Sequence, residues 1–196
     1  MGNALDTAAA RAWLDAFARA VEERRDEFTE LDRRSGDGDF GGNVTAALGR
    51  ARAAAAEADS VGAVFAALSR AFLAAGGTSG PLFGMWFREL GRAAAGESAG
   101  VEELAAGAAA GLEAVQRLGG AQVGDKTMVD AMAPAAEALA RGETLAEAAR
   151  AARAGADSTA ELVARRGRAS YVGEVARGVH DPGAVTVALF FETAPD

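Results

Sequence analysis

The sequence concentrates glycine in four short clusters separated by segments rich in alanine. The clusters are Gly36 to Gly42, Gly76 to Gly80, Gly119 to Gly124 and Gly178 to Gly183. Glycine makes up 25 of the 196 residues, well above its usual share of about 7%. Because glycine is unfavourable inside helices and adopts conformations that other residues avoid, we expect these clusters to connect helices and to hold unusual backbone.

The rest of the composition favours helix over sheet. Alanine dominates, β-branched residues are few, and only four prolines interrupt the chain. Thr144 with Glu147 matches a capping box, and Asp181 precedes a proline suited to a first helical turn. The apolar spacing predicts about eight helices, over residues 3–31, 43–57, 60–75, 82–95, 101–118, 126–140, 145–166 and from 182 through at least 190. With no linker, low-complexity tail or repeat, we predict one all-α domain spanning residues 1–196.

The composition also excludes several classes of function. Without cysteine the chain has no thiolate nucleophile or zinc-thiolate site, and a single histidine excludes His-rich metal centres. The formal net charge of −8 opposes binding to nucleic acid or to an anionic membrane. No basic, apolar leader and no long apolar run is present. We expect a cytoplasmic protein with neither nucleic-acid nor membrane partners.

The first glycine cluster holds three carboxylates, Asp32, Asp37 and Asp39. The glycines let the backbone turn so that the carboxylates converge, and like charges that converge repel unless a cation lies between them. Hard divalent cations such as Mg²⁺ prefer carboxylate oxygens. A solvated turn is the alternative for so short a motif. A calcium hand is excluded, because Leu48 stands where that loop needs a glutamate.

The second cluster, with Thr78 and Ser79, is typical of a helix start whose amides and hydroxyls contact an anion, although ordinary caps use the same residues. Ser79 is a poor candidate nucleophile, because the strand and the GxSxG spacing of a hydrolase are both missing. The third cluster contains Lys126, the only lysine of the chain. Asp125 interrupts the P-loop spacing there, and pairing of Lys126 with a carboxylate or a phosphate stays open.

The fourth region contains Arg168 and, further on, His180 and Asp181. Its structural interpretation is a helix end followed by a capped restart. Its functional interpretation is a phosphate contact, because the guanidinium of Arg168 can hold two phosphate oxygens at once.

Taken together, the motifs resemble one family. LDxxxGDGDxGxN, GGTSGPLFG, GDKTMVDAMAPA and GRASYVGE with HDPGA follow one another between Leu31 and Ala184. In this order and spacing they are similar to the nucleotide-binding L subunit, DhaL, of dihydroxyacetone kinase. The resemblance covers most of the chain.

This resemblance implies a barrel-like bundle of eight antiparallel helices whose loops at one end bind ADP or ATP with two Mg²⁺ ions. Asp32, Asp37 and Asp39 would be the metal ligands. Phosphoryl transfer would be supported by these carboxylates through Mg²⁺. The residues that would line the nucleotide site are Phe40, Gly41, Gly42, Asn43, Thr78, Ser79, Gly119, Met128, Arg168, Asp181, Pro182 and Gly183.

The resemblance also implies partners. The keto sugar dihydroxyacetone would be held by a separate K subunit, so the chain would be inactive alone. Gly42 and Asn43 resemble the bacterial branch, in which bound ADP is rephosphorylated by a phosphotransferase-system protein. Phe40 departs from the His or Cys usual at its position and weakens that assignment. Two alternatives stay open: an ATP-dependent kinase subunit for another short ketose such as a tetrulose, and a non-catalytic nucleotide-binding regulator.

Overall fold

The computed structural model describes residues 4–171 and 173–195, and within these it contains nine α-helices. Their bounds are α1 Thr7–Glu23, α2 Arg25–Ser35, α3 Phe40–Ala55, α4 Val61–Leu73, α5 Ser79–Ala93, α6 Val101–Gly119, α7 Val129–Ala140, α8 Leu145–Ser158 and α9 Pro182–Glu192. Short 3₁₀ turns occupy Thr159–Glu161, Arg168–Tyr171 and Gly173–Ala176. This confirms the all-α prediction.

The helices pack in a closed ring in sequence order. Each helix from α3 to α9 contacts the next, and α1 closes the ring by packing on both α9 and α3. In such a ring alternate connections lie at the same end, so the α2–α3, α4–α5, α6–α7 and α8–α9 connections meet there. These four connections are the four glycine clusters, and they bring their residues to one place.

Helix α9 holds the centre of the core, since every residue from Pro182 to Phe191 is buried. The Trp13 ring stacks on Phe190 at 4.3 Å between centroids, and the Trp13 indole N–H donates to the Phe190 carbonyl at 2.6 Å. Three aromatic residues of α5, Phe83, Trp86 and Phe87, are all at most 1% exposed. They belong to this aromatic core and not to a partner surface.

The opposite end of the ring is closed by a two-stranded sheet. β1 (Leu5–Asp6) pairs antiparallel with β2 (Ser98–Ala99), with Leu5 opposite Ala99. This sheet was not predicted, because two-residue strands carry no periodic pattern. Within residues 4–171 and 173–195, no helix is both long and apolar enough to cross a membrane.

Two predicted helices were wrong in extent. The segment 3–31 breaks at Arg24 into α1 and α2, and Asn3 lies outside the described residues. At Arg24 the backbone leaves helical geometry, with φ −106° and ψ 15°, which changes the direction of α2. The helix predicted to reach Arg166 ends at Ser158, where the chain passes into a 3₁₀ turn whose Thr159 is completely buried.

Helices α7 and α8 are in such close contact that Gly155 has no room for a side chain. A Cβ there would lie 2.1 Å from the Asp130 carbonyl oxygen, whereas one on Gly49, in α3, would meet nothing within 4 Å. We expect Gly155→Ala to lower the free energy of unfolding by about 1–3 kcal/mol through overpacking. Gly49→Ala, the matched control, should raise it by about 0.5–1 kcal/mol through helix propensity.

Urea unfolding followed by far-UV circular dichroism measures both variants. If Gly155→Ala were as stable as Gly49→Ala, the close approach of α7 and α8 would be wrong.

Candidate functional site

The four glycine-rich connections surround one cavity of about 140 Å³. Most of the predicted site residues line it: Asp32, Asp37, Asp39, Phe40, Thr78, Ser79, Met128, Arg168, Asp181, Pro182 and Gly183. Residues from connections far apart in sequence therefore share one space, as the motif order predicted.

One wall of the cavity is acidic. Asp32, Asp37 and Asp39 each offer a carboxylate oxygen, and these oxygens lie within 4.8 Å of one another. Asp32 is buried at the end of α2, and its Oδ2 accepts a hydrogen bond from the Phe40 backbone N–H at 3.1 Å. The donor set is all oxygen, and three carboxylates this close fit a hard divalent cation such as Mg²⁺.

Two helices begin at the cavity. α3 begins at Phe40 and α5 at Ser79, and neither is capped by the side chain of its N-cap residue. Of the amides at these two helix starts, the Phe40 N–H is taken by Asp32 Oδ2. By contrast, α1 and α4, which begin at the opposite end, are capped by Asp6 and Ser60. Free amides at the positive end of a helix dipole bind anions, so this wall is suited to phosphate.

Arginine from the α8–α9 connection forms a third wall. Arg168 makes an ion pair with Asp37, and both side chains are substantially exposed. Arg166, which the sequence analysis missed, also lines the cavity and lies 4.0 Å from Asp125. Its position directly before the GRAS motif was the available signal. The cavity therefore combines an acidic cluster with two long arginine side chains and two helix N-termini.

A second, more apolar cavity of about 440 Å³ adjoins the first. Gly77, Thr78, Leu82, Met128 and Arg166 line both. The second cavity is otherwise lined by residues that include Pro81, Val115, Leu118, Gly119, Ala121 and Val129. The predicted residues Gly119 and Met128 are thus on this side, and apolar lining of this kind accepts a planar ring.

The remaining predicted residues lie outside both cavities. Gly41 is needed for helix packing, since a Cβ there would lie 2.5 Å from the Arg25 carbonyl oxygen. Gly42 faces open space, and Asn43 lies beside Gly77 in a neighbouring cleft. The Phe40 ring packs against Phe28 and Phe83.

Lys126 lines the polar cavity and forms no ion pair with a carboxylate in the described part of the chain, so pairing with a phosphate stays a prediction. Its ammonium donates to two backbone carbonyls, those of Thr159 and of Val179, the latter at 2.6 Å. Asp130 organises the same loop by accepting from the Gly124 N–H at 2.5 Å and the Thr127 N–H at 2.8 Å. Ser79 begins α5 after a turn, as expected, and so is no hydrolase nucleophile.

The fold and the cavity together define an all-helical protein whose four glycine-rich connections enclose a cavity lined by carboxylates and arginines. Comparison with known proteins agrees. The family model described as the DAK2 domain matches residues 34–196. The chain therefore belongs to the DAK2-domain family, which confirms the predicted resemblance.

The relatives fall into two groups. The ADP-binding subunit DhaL of a PEP-dependent dihydroxyacetone kinase from Listeria innocua is 35% identical over 91% of this chain and 90% of its own length. The L-erythrulose 1-kinase of Mycolicibacterium smegmatis is 38% identical over 92% of this chain, which spans only 34% of that enzyme. Among solved structures, the dihydroxyacetone kinase from C. freundii in complex with AMP-PNP and Mg²⁺ is 28% identical, with a TM-score of 0.75 over 98% of this chain and 34% of that one.

Asp181 gives the site a testable pH dependence. The pKa of its carboxyl is raised from 3.8 to about 7, mainly by burial. The hydrogen bond from Ala184 N–H lowers this pKa, and the nearby charge of Asp130 raises it. Between about pH 4 and 7 the folded state keeps a proton that the unfolded state has lost, so the free energy of unfolding falls as pH rises through this range and levels off above it.

Asp181→Asn keeps a capping oxygen but does not titrate. We expect wild type to lose stability relative to this variant as pH rises from about 4 to 7, in urea unfolding with EDTA present. Parallel stability curves for the two proteins would show that Asp181 has an ordinary pKa.

Proposed function

We propose that this chain is the nucleotide-binding, DhaL-type subunit of a dihydroxyacetone kinase, acting as a single domain. The observation that carries this proposal is the arrangement of charge in one cavity: three carboxylates face two uncapped helix N-termini and two arginines. A cation alone would not use the helix N-termini and arginines, and an anion alone would be repelled by the carboxylates. A metal-bound polyphosphate satisfies both walls.

In this proposal Asp32, Asp37 and Asp39 hold Mg²⁺, two ions by family resemblance. When bound, Mg²⁺ neutralises charge on phosphate oxygens during phosphoryl transfer. Asp32 is fixed for this task by the Phe40 N–H, and Gly36 leaves it room, since a Cβ on Gly36 would lie 2.5 Å from Asp32 Oδ1. Glycine is therefore needed beside the ligand as well as within the turn.

The nucleotide would bridge the two cavities. Leu82 and Met128 separate an apolar space for the base from the polar space for the phosphates. The amides at the starts of α3 and α5, with Thr78 and Ser79, would bind phosphate oxygens, and Arg168 would exchange Asp37 for phosphate. These groups position and neutralise the phosphates, and no residue of the site is placed to act as a covalent nucleophile.

The acceptor would come from a partner that docks over the site. Within the described part of the chain, five large apolar side chains are exposed: Leu73, Leu118, Val123, Tyr171 and Val175. All five belong to the helix ends and connections at the cavity end of the ring. Apolar side chains that cluster around a site mouth favour a protein contact there, and we assign it to a K subunit that holds dihydroxyacetone.

A phosphotransferase-system protein is the proposed phosphoryl donor. A relative supports this: the ADP-binding subunit of a PTS-dependent dihydroxyacetone kinase in Lactococcus lactis is 35% identical over 92% of this chain. A second candidate is an ATP-dependent kinase subunit for a tetrulose. It rests on the 38% identity to the L-erythrulose 1-kinase, and the acceptor pocket that would distinguish the two candidates would belong to the partner.

Removal of one carboxylate tests the metal assignment. We expect Asp37→Asn to weaken MgADP binding by more than about 100-fold, measured by calorimetry on nucleotide-free protein, because the acidic wall loses a ligand. Thermal stability should change little, since the Asp37 ion pair with Arg168 is exposed.

Asp26→Asn is the matched control, because it removes the same charge from an exposed position in α2, the helix that precedes Asp37 in the chain. Equal MgADP affinity in Asp37→Asn and Asp26→Asn would refute the metal assignment. A different result would be a wild-type protein that binds MgADP but transfers no phosphoryl group to any ketose when a K subunit is present. That result would favour the non-catalytic regulator.

A further inference from the structure

Lys126 is a buried cation that the proposed chemistry does not use. It is 1% exposed and is the only buried cationic side chain within residues 4–171 and 173–195. Its backbone is in the left-handed region, with φ 62°, which is unfavourable for a residue with a Cβ. Burial lowers the pKa of its ammonium, while Asp181, Asp130 and Glu161 raise it. A strained backbone and a desolvated charge each cost free energy. Because both are kept at Lys126, we infer that the surrounding structure depends on this side chain.

The ammonium joins the two ends of one long connection. Its acceptors, the carbonyls of Thr159 and Val179, lie at the beginning and near the end of the α8–α9 connection. The same two ends are joined by Gly178 N–H to the Ala160 carbonyl at 2.8 Å and by Asp181 N–H to Thr159 Oγ1 at 2.9 Å. We call this set of ties, with Lys126 at its centre, the neck.

The segment beyond the neck forms the arginine wall of the cavity. Arg166, Gly167, Arg168 and Ala169 all line the polar cavity. The segment buries only small side chains such as Ala164 and Ala176, and its 3₁₀ turn Arg168–Tyr171 contains no buried residue. The segment is also linked to the α6–α7 loop at Asp125, next to Lys126. The Asp125 backbone carbonyl accepts from the Arg165 N–H at 3.1 Å, and its carboxylate lies 4.0 Å from Arg166 Nε. The placement of Arg166 and Arg168 therefore depends on the neck.

We propose that Lys126 is a positioning residue for the phosphate site: it closes the neck and thereby holds Arg166 and Arg168 over the cavity. This inference rests on the proposed function for its binding readout. It also explains the single lysine of an arginine-rich chain, since a compact ammonium fits between two carbonyls where a planar guanidinium is larger.

Lys126→Met tests the proposal because it keeps the apolar stem and removes the ammonium. We expect MgADP affinity to fall by at least about tenfold, and amide hydrogen exchange in residues 160–178 to accelerate, most clearly at Gly178 and Arg165. Amides of α4 and α5 should be unaffected. Lys126→Arg, which restores the donors, should recover part of the affinity.

Ser69→Ala is the control for a general loss of stability. Ser69 Oγ donates to the Gly84 carbonyl at 2.8 Å, a buried side-chain bond to backbone that joins α4 to α5 away from the neck. This variant should be destabilised with unchanged MgADP affinity. If Lys126→Met matched Ser69→Ala in affinity and in exchange of residues 160–178, the positioning role would be refuted.

A measurement on the unmodified protein covers the case in which Lys126→Met fails to fold. Because the chain has one lysine, ¹⁵N-lysine labelling gives a single side-chain signal. A closed neck predicts an ammonium signal with slow proton exchange, and exchange as fast as that of free lysine would overturn the proposal. Wild type that binds no MgADP but shows the slow signal would refute the proposed function and leave the neck intact.

Discussion

The burial of α9 is the constraint on which the rest of the structure depends. This helix is apolar on every side, and it closes the ring between α8 and α1 through contacts such as the Trp13 stack on Phe190. A helix without a polar face is stable only when it is enclosed. Its N-terminus, capped by the Asp181 bond to Ala184 N–H, therefore has a fixed position at the base of the cavity, and the other three connections at that end are held around it.

The site is built from charges that the fold brings together without satisfying them internally. The acidic cluster of Asp32, Asp37 and Asp39 is balanced in this structure mainly by Arg168, and the amides at the starts of α3 and α5 have no cap. These groups destabilise an empty site and favour a ligand that carries both signs of charge. The proposed ligand, a metal-bound nucleotide, carries both signs, and we propose that the acceptor comes from a partner that contacts the exposed apolar side chains at the cavity end.

Much of the fold and of the candidate site was predicted from the sequence, and each prediction that failed did so for a physical reason. The capping box of Thr144 and Glu147 and the Asp181 cap formed as predicted, because caps are local interactions. The end of α8 was missed because Thr159 is held by long-range bonds to the neck, which helical periodicity does not reveal. Lys126 was noticed for its rarity, yet its acceptors are backbone carbonyls 33 and 53 residues away, which no side-chain motif encodes.

The amounts of adenine nucleotide and magnesium in the purified protein test whether the chain is a subunit that retains MgADP. The protein is prepared without added nucleotide and denatured, and the released adenine nucleotide and magnesium are quantified per chain. We expect about one ADP and about two Mg²⁺ per chain. An empty chain that binds added MgATP would move the assignment to the exchangeable-donor kinase. A chain that contains neither ligand and binds neither MgADP nor MgATP would contradict the account.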